Sequence, residues 1–202
     1  YGAINNLTLS GESIHSLEFT EALLMDYTEK RLFSINRFEG RIINVQTDLI
    51  QLCSGNITIR EVVEHPGGVA VIPVDEEGYV YCVRQYRYPF KEHLLEVPAG
   101  KLEGCEDHRD CAVRELSEET GITADKLTYM GEIYTSPGFS QEILHLYLAT
   151  GLTFGKAHPD ENEHMDVVKI HLSELIKMAM SGEMKDAKSL VAVLKAKEFL
   201  EA

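Results

Sequence analysis

The sequence predicts a mixed α/β protein, and three observations lead to this prediction. Apolar and polar side chains alternate through much of residues 43–61, which is typical of half-buried strands. The near-continuous apolar run GGVAVIPV, which starts at Gly67, is typical of a strand buried on both faces. Near the C-terminus, four apolar residues recur at helical spacing: Leu190, Val191, Leu194 and Phe199. A chain of 202 residues can therefore form one substantial domain with a smaller appendage.

The N-terminal part divides into two segments. Residues 1–24 show no clear period and no basic stretch followed by an apolar core, so we expect no signal peptide and interpret them as an extension or leader. Residues 25–66 are predicted to form a small antiparallel sheet, because the alternation in 43–49 is repeated by Ile57 and Ile59 after a Ser-Gly-Asn turn. A sheet of two or three strands needs something to cover its apolar face.

The main domain is predicted to span residues 67–202. A second strand, YVYCVRQYRYP, follows the first after a turn, and HLLEVPAG then leads towards a helix. Pro98 fixes the backbone immediately before Ala99 and Gly100. The carbonyl group of Ala99, exposed at this bend, is a candidate metal ligand.

The helix after this bend carries three carboxylates on one face. Glu115, Glu118 and Glu119 fall within an arc of about 100° on an α-helix. Like charges at these spacings repel each other, so a cation is expected there, and oxygen ligands suit a hard ion such as Mg²⁺. The alternative is an acidic, solvated helix face that binds nothing. Three residues are predicted to pack this helix on the sheet, and Gly121 is predicted to end it. The three are Ala112, Val113 and Leu116.

The rest of the chain predicts three strands and two helices. LTYMGEIYTSPG and EILHLYLATGL are predicted strands joined by a turn at Pro137 and Gly138, and MDVVKIHL is the last strand, after the polar loop AHPDENEH. Ser173 is the candidate cap of a helix that runs from Glu174 to Met180. The final helix is predicted over residues 186–200.

Composition excludes several classes of function. A formal net charge of -14 argues against a protein that grips nucleic acid through its phosphates. The four cysteines form no CxxC pair and have no histidine at zinc-finger spacing, which favours free thiols in a reducing cytoplasm. No apolar run approaches the roughly 18 residues of a membrane span. We therefore expect a cytoplasmic protein with neither nucleic acid nor a membrane as partner.

The acidic helix lies in a stretch that resembles a known motif. Gly100, Glu106, Arg114-Glu115-Leu116, Glu118-Glu119 and Gly121-Ile122 match the Nudix box at every specified position. The resemblance implies an α/β/α sandwich with a mixed sheet, and an enzyme that hydrolyses a nucleoside diphosphate linked to another group. It implies that Glu115, Glu118 and Glu119, with the Ala99 carbonyl, hold two or three Mg²⁺ ions, with Mn²⁺ as the alternative.

Residues outside the box are similar to the ADP-ribose pyrophosphatase branch of this superfamily. The similarity rests on VRQYRYP, EVPAGKLE, the Pro137-Gly138 pair and the DENE loop. It implies hydrolysis of ADP-ribose to AMP and ribose 5-phosphate. One alternative is a GDP-mannose or broad nucleotide-sugar pyrophosphatase, and the other is a non-catalytic Nudix sensor that binds ADP-ribose. All the box glutamates are present, which favours the enzyme.

The resemblance also assigns catalytic roles. It places the general base, which acts with metal-activated water, on the DENE loop at Glu161, with Glu163 as its rival. The alternative for this loop is a solvated segment without a role. Arg114 is expected to orient the carboxylates by charge-assisted hydrogen bonds. For Glu106 two interpretations stay open, a weaker metal contributor or an acid favoured at a helix N-terminus.

Six residues match substrate-binding positions of the branch: Arg60, Glu61, Arg87, Pro137, Gly138 and Glu142. Arg60 and Arg87 match positions near the phosphates and the adenine, and Glu142 matches one near the terminal ribose. Arg41 stands where a relative has an aromatic residue that stacks on adenine, and Tyr86 is the alternative stacking residue. The resemblance further implies a homodimer, formed through the N-terminal sheet.

Overall fold

The structure of the protein, a computed structural model, describes residues 26–159 and 163–201. The predicted extension at residues 1–24 and the candidate base Glu161 therefore lie outside the described residues. Strands and helices follow the predicted order. They are β1 (Lys30–Glu39), β2 (Asn44–Gln51), β3 (Ile57–Glu64), β4 (Gly68–Pro73), β5 (Tyr79–Arg87), β6 (Glu92–Glu96), β7 (Ala99–Lys101), α1 (His108–Thr120), β8 (Ile122–Tyr134), β9 (Ile143–Phe154), β10 (Met165–His171), α2 (Leu172–Ser181) and α3 (Ala187–Glu201).

The N-terminal sheet consists of β1, β2 and β3, paired antiparallel in that order. Its alternating side chains leave many large apolar residues in contact with solvent. They are Leu32, Phe33, Ile35, Phe38, Leu49, Ile57 and Ile59. The predicted small antiparallel sheet is confirmed, and both of its edge strands carry uncovered apolar side chains.

The rest of the chain forms two further sheets. One has the order β7-β4-β9-β8 and is mixed, because β4 runs parallel to β9 while the other pairs are antiparallel. The other has the order β10-β5-β6 and is antiparallel. The parallel pair is possible because the long segment between its strands, which includes α1, crosses one face of the sheet.

Helices cover both faces of the mixed sheet, and β4 contributes to both cores. Val69 and Val71 pack on one side with Leu116 of α1. Ala70 and Ile72 point to the other side, where α2 and α3 contribute buried residues such as Leu175 and Val193. Both faces of β4 are thus buried, as its apolar run predicts. The α/β/α sandwich is confirmed.

The boundaries of α1 follow from its caps. The Asp107 side chain accepts a hydrogen bond from the Arg109 N–H at 2.8 Å, and Gly121 ends the helix in the left-handed conformation at φ 71°. The prediction that Val113 packs on the sheet is wrong, because its side chain is 44% exposed. Cys111 and Ala112 lie on the buried face, and Val113 is turned about 100° further round the helix.

The last two helices differ slightly from their predictions. Helix α2 begins at Leu172, and its cap is His171, whose Nδ1 accepts from the Ser173 N–H at 3.2 Å, so the predicted Ser173 cap is wrong. The imidazole nitrogen performs the role expected of a serine hydroxyl. Helix α3 begins within one residue of its predicted start. None of the helices in residues 26–159 and 163–201 is long and apolar enough to cross a membrane.

Candidate active site

A cavity of about 640 Å³ opens beside the mixed sheet, between the β5–β6 hairpin and the start of α3. Its walls come from segments that are far apart in the chain. Among its lining residues are Arg87, Ala99, Gly100, Glu142, Glu163 and Lys188. The cavity thus brings together β5, β7, α3 and the loops before β9 and β10.

Two carboxylates of α1 lie against the β7 backbone that lines this cavity. A Cβ atom placed on Gly100 would lie 1.8 Å from Cδ of Glu115, so the carboxylate occupies space that only a glycine leaves free. The backbone N–H of Ala99 donates to Oε2 of Glu119 at 3.0 Å. Glu115 and Glu119 are both buried. The bend before the helix and the acidic face of the helix therefore form one packed unit.

Arg114 joins three of the glutamates of the stretch. Its Nε and Nη2 donate to the two carboxylate oxygens of Glu106, each at 2.9 Å. Its Nη1 donates to Glu115 at 2.8 Å and to Glu118 at 2.9 Å. The bidentate pair with Glu106 fixes the plane of the guanidinium group, which in turn orients the other two carboxylates. The predicted orienting role of Arg114 agrees with these contacts.

The pKa values of these groups diverge with their surroundings. Burial raises the pKa of Glu119 to about 8, against the opposing hydrogen bond from Ala99, and the charges of Glu115 and Glu163 add to the rise. Burial likewise raises the pKa of Glu115, although Arg114 opposes it. The hydrogen bonds from Arg114 lower the pKa of Glu106 to about 2. Among the salt bridges of the described residues, Glu106 and Glu115 pair with Arg114, whereas none involves Glu119.

The donor set meets the needs of a divalent cation in its chemistry but not in its present arrangement. In the described ranges, no three His, Cys, Asp or Glu side chains stand close enough together to hold a metal ion as they are placed. Arg114 donates to Glu115 and Glu118, and the Ala99 N–H donates to Glu119, so each of the three carboxylates already has a hydrogen-bond donor. Their chemistry nevertheless fits Mg²⁺, because all are oxygen donors and two are buried with a raised pKa. The predicted ligand set, which includes the Ala99 carbonyl, stays a prediction.

Of the two candidate bases, Glu163 lies within the described residues. It lines the cavity, and its charge contributes to the raised pKa of both Glu115 and Glu119. Glu163 is therefore close to the acidic face, where a base for the attacking water would be needed. The choice between Glu161 and Glu163 stays open.

Two of the predicted substrate residues line the cavity. Arg87 comes from β5, and Glu142 comes from the loop before β9, where it accepts from the Thr135 hydroxyl at 2.5 Å. Nδ1 of His65, another lining residue, is 3.6 Å from Oε1 of Glu142. Pro137 and Gly138 belong to the same β8–β9 loop but are not among the lining residues, whereas Thr135 and Ser136 are.

Arg60 and Glu61 do not line the cavity in this single chain. Both lie on β3 of the N-terminal sheet, and Arg60 forms an ion pair with Glu29, with Nε 3.0 Å from Oε2. Tyr86 is also absent from the lining, and its ring packs edge-on against His93 with centroids 5.3 Å apart. These residues are therefore not brought to the cavity by the fold of one chain.

Two charged residues that the sequence does not identify, Lys188 at the cavity and Glu96 buried behind Arg87, belong to this site. Glu96 is almost completely buried and accepts two hydrogen bonds from Arg87, each 2.6 Å long. Lys188 of α3 lines the cavity and also donates to Glu96. The hydrogen bonds from Arg87 and the charge of Lys188 outweigh the effect of burial and lower the pKa of Glu96. The position of Glu96 in an apolar strand could have indicated a buried, paired carboxylate. No feature of the sequence near Lys188 indicates that it lines the cavity.

This sandwich, with an acidic helix packed against a cavity that carries arginine and lysine side chains, is the architecture of a pyrophosphohydrolase. The model of the NUDIX domain matches residues 64–191, which is more than half of the chain. The protein belongs to the Nudix family.

Similar proteins support this assignment. The chain is 42% identical over 178 residues to the ADP-ribose pyrophosphatase of Bacillus subtilis (strain 168), and the alignment covers 86% of this chain and 96% of the relative. It is 40% identical over 169 residues to the methanol dehydrogenase activator of Bacillus methanolicus, and this alignment covers 83% of this chain and 91% of the relative. A crystal structure of an ADP compounds hydrolase superposes with a TM-score of 0.77 at 19% identity, over 88% of this chain and 97% of the other. This similarity shows a shared fold.

Proposed function

We propose that this protein hydrolyses the pyrophosphate bond of ADP-ribose, and of related nucleoside diphosphate sugars, to give AMP and ribose 5-phosphate. The observation that carries the proposal is a single cavity lined by Arg87, Glu142, Glu163 and the backbone of residues 99–100, on which Glu115 and Glu119 of the acidic face pack. The identity of 42% with an ADP-ribose pyrophosphatase over most of both chains supports the choice of substrate.

The acidic face is proposed as the metal site. Glu115, Glu118, Glu119 and the Ala99 carbonyl would hold two or three Mg²⁺ ions, with Mn²⁺ as the alternative. Bound ions supply positive charge against the pyrophosphate and lower the pKa of a coordinated water. Arg114 holds Glu115 and Glu118 in place before an ion arrives.

Other side chains act on the substrate and the water. Glu163, or Glu161 in its place, accepts the proton of the attacking water. Arg87 donates hydrogen bonds to the diphosphate, and Glu142 accepts from a hydroxyl of the terminal ribose. Pro137 and Gly138 shape the loop that carries Thr135 and Ser136 to the cavity wall. The ion pair between Arg87 and Glu96 supports this assignment, because it fixes the guanidinium group at the wall.

The quaternary structure is proposed to be a homodimer formed through the subdomain of residues 25–66, with residues 67–202 as the Nudix hydrolase domain. The exposed apolar side chains of β1 and β3 support this, since contiguous apolar surface marks an interaction site. Arg60 and Glu61 would then act on the substrate of the other subunit. Light scattering coupled to gel filtration tests the dimer, and a monomer at micromolar concentration would contradict it.

Cytoplasmic residence is also proposed. All four cysteines, Cys53, Cys82, Cys105 and Cys111, are free thiols. Free cysteines are typical of a reducing compartment, and the two buried ones behave as small apolar side chains.

The test of the proposed function is a product assay with a substrate panel in the presence of Mg²⁺, repeated with Mn²⁺. ADP-ribose, GDP-mannose, UDP-glucose, NADH and diadenosine polyphosphates are compared by kcat/KM. We expect at least a hundredfold preference for ADP-ribose, which corresponds to about 2.7 kcal/mol of transition-state binding. A flat profile would indicate a broad nucleotide-sugar pyrophosphatase, and a preference for GDP-mannose would indicate a GDP-mannose pyrophosphatase. No turnover of any substrate would favour a non-catalytic Nudix sensor that binds ADP-ribose.

A further inference from the structure

Four charged side chains form a compact ion cluster in the wall of the cavity, apart from the acidic helix. We name it the wall cluster, and it consists of Arg87, Glu96, Asp186 and Lys188. Arg87 donates to both oxygens of Glu96 at 2.6 Å, Lys188 donates to Glu96, and Nζ of Lys188 lies 3.0 Å from Asp186. Glu96 and Lys188 are 92 positions apart in the sequence. The cluster therefore joins the β5–β6 hairpin to the first turn of α3.

Glu96 holds one edge of the Arg87 guanidinium group. Its carboxylate takes the Nε and Nη2 hydrogen bonds and is only 1% exposed, so it has no other orientation with comparable partners. Among the hydrogen bonds of the described residues, none involves Nη1 of Arg87. The Arg87 side chain is 39% exposed at the cavity. The ion pair thus leaves one edge of a fixed guanidinium group available to an anionic ligand.

Lys188 determines the charge that this edge presents. With Lys188 in place, two cations face two carboxylates, and Glu96 divides its charge between Arg87 and Lys188. Without Lys188, Arg87 alone would face Glu96 and Asp186, and the wall cluster would carry a net negative charge. A diphosphate would then meet repulsion from a wall where it now meets a cation, and in a partly buried site the repulsion is poorly screened.

The same turn of α3 is fixed to the end of β6. The backbone N–H of Val97 donates to the Ser189 hydroxyl at 2.8 Å, and this hydroxyl donates to Asp186 at 2.5 Å. Ser189 is completely buried. Val97 lies two residues before Ala99, whose N–H bonds to Glu119. The start of α3, the Arg87 side chain and the bend at Ala99 are therefore held in one hydrogen-bonded network.

From this geometry we infer that Lys188 is a positioning residue for the diphosphate of the substrate. It acts through Glu96, by keeping the Arg87 guanidinium oriented and by offsetting the carboxylate charges of Glu96 and Asp186 behind it. The inference rests on the proposed function only in taking a diphosphate as the ligand of this wall. It assigns a role in substrate binding to the first turn of α3, which lies far from the acidic helix in sequence.

The first experiment is a double-mutant cycle with Lys188→Met and Arg87→Met. We expect Lys188→Met to raise KM for ADP-ribose at least tenfold with a smaller change in kcat, and Lys188→Arg to restore KM to within about threefold of the wild type. In the Arg87→Met background, Lys188→Met should change KM less than twofold, because its target is gone. Equal effects in both backgrounds would overturn the inference. Lys197→Met, an exposed lysine on the same helix, is the matched control.

A second variant separates positioning from stability. Lys188→Met leaves Glu96 buried with one partner fewer, which destabilises the fold, so Glu96→Gln is combined with it to remove the excess charge. We expect the double variant to recover much of the lost melting temperature while KM stays raised at least tenfold, because a glutamine at position 96 cannot form the bidentate carboxylate pair that orients Arg87. Recovery of both melting temperature and KM would show that Lys188 has a purely structural role and would overturn the inference.

A binding measurement makes the test independent of turnover. Titration calorimetry with ADP in EDTA measures diphosphate binding without metal ions, and we expect Lys188→Met to weaken it at least fivefold and Lys197→Met to leave it unchanged. Unchanged ADP binding in Lys188→Met would overturn the inference. A wild-type enzyme that fails to hydrolyse ADP-ribose but shows this ADP result would overturn the proposed function alone.

Discussion

The Glu115 carboxylate fills the space that a side chain on Gly100 would need: a Cβ atom on Gly100 would lie 1.8 Å from Cδ of the glutamate and 1.9 Å from its Oε1. Real Cβ contacts never approach this distance, so any side chain at position 100 must displace the Glu115 carboxylate or the β7 backbone. The first glycine of the Nudix box is therefore required by the position of a box carboxylate.

Gly100→Ala is expected to reduce kcat/KM at least a hundredfold and to lower the free energy of unfolding by roughly 1–3 kcal/mol through overpacking. Urea denaturation and the ADP-ribose assay measure the two effects. Gly138→Ala is the matched control for stability, because a Cβ atom there has no neighbour within 4 Å. A Gly100→Ala variant with wild-type stability would contradict the close packing of Glu115 on β7.

Glu119 gives the metal-free protein a pH dependence of predictable sign. Its pKa is about 8 in the folded protein against a usual value of 4.5, so between these values the folded state holds a proton that the unfolded state has lost. The unfolding free energy in EDTA should therefore fall as the pH rises from 4.5 to 8, by an amount on the order of 4 kcal/mol. Glu119→Gln should remove most of this slope, as measured by urea unfolding at pH 5, 6, 7 and 8, and the remainder is expected from Glu115, whose pKa burial also raises.

The control for this experiment is Glu118→Gln, a neighbouring box carboxylate that leaves Glu119 in place and should keep the slope. Addition of Mg²⁺ at pH 8 should stabilise the wild type more than Glu119→Gln, because an ion at the site replaces the missing proton. Equal slopes in the wild type and Glu119→Gln would show that another group is responsible.

Arg114→Lys is expected to be poorly tolerated although it preserves the charge. A lysine ammonium group cannot form the bidentate pair with Glu106 and also reach Glu115 and Glu118, so at least one carboxylate loses its partner. We expect kcat/KM to fall roughly 10- to 100-fold and the unfolding free energy to fall by about 2 kcal/mol. Arg109→Lys, exposed on the same helix, is the control. Wild-type activity in Arg114→Lys would show that the guanidinium geometry is unimportant.

His145 should produce a pH dependence of the opposite sign. Its ring stacks on His108 at 4.1 Å, its Nδ1 lies 3.1 Å from the Tyr129 hydroxyl and 3.9 Å from Glu132, and burial followed by the charge of His108 lowers its pKa. The unfolded state therefore binds a proton that the folded state resists, and stability is lost as the pH falls below about 6.5. His145→Gln should reduce this loss, measured as the melting temperature between pH 5 and 7.5.

Tyr147 and Asp107 also face this histidine pair, since the Tyr147 hydroxyl lies 2.6 Å from Nδ1 of His108 and the charge of Asp107 acts on His145. His164→Gln, on the loop before β10, is the control for a change in histidine count. If it matched His145→Gln, the acid sensitivity would be a general property of the charge of the protein.

The extent to which the sequence predicts this molecule varies with the distance over which each signal acts. Helix α1 and its termination at Gly121 are predictable, because the caps and the carboxylate spacing are local. The mixed sheet follows from the apolar run of β4 and the family resemblance. Val113 was assigned to the wrong face because one residue decides which side of the helix is buried.

Long-range polar contacts lie beyond such reasoning. Nothing near Lys188 distinguishes it from other lysines of α3, and its pairing with Glu96 exists only after β6 and α3 have come together. Arg60 shows the opposite case, since its position matches the family while its contacts within one chain lead to Glu29. The contacts of Lys188 depend on tertiary packing within one chain, and the role of Arg60 depends, under our proposal, on a second subunit.

The cavity is bounded by His65 near the start of the Nudix domain and by Lys188 in the first turn of the last helix. Synthesis of the roughly 120 residues between them takes about 6 to 25 s at 5–20 residues per second. The acidic helix α1 is synthesised within that interval, before Lys188, so for part of the interval the helix exists while the wall cluster is incomplete. Under our proposal, a nascent chain completes its diphosphate-binding wall only when α3 has been synthesised and has packed, so translation itself delays the onset of activity.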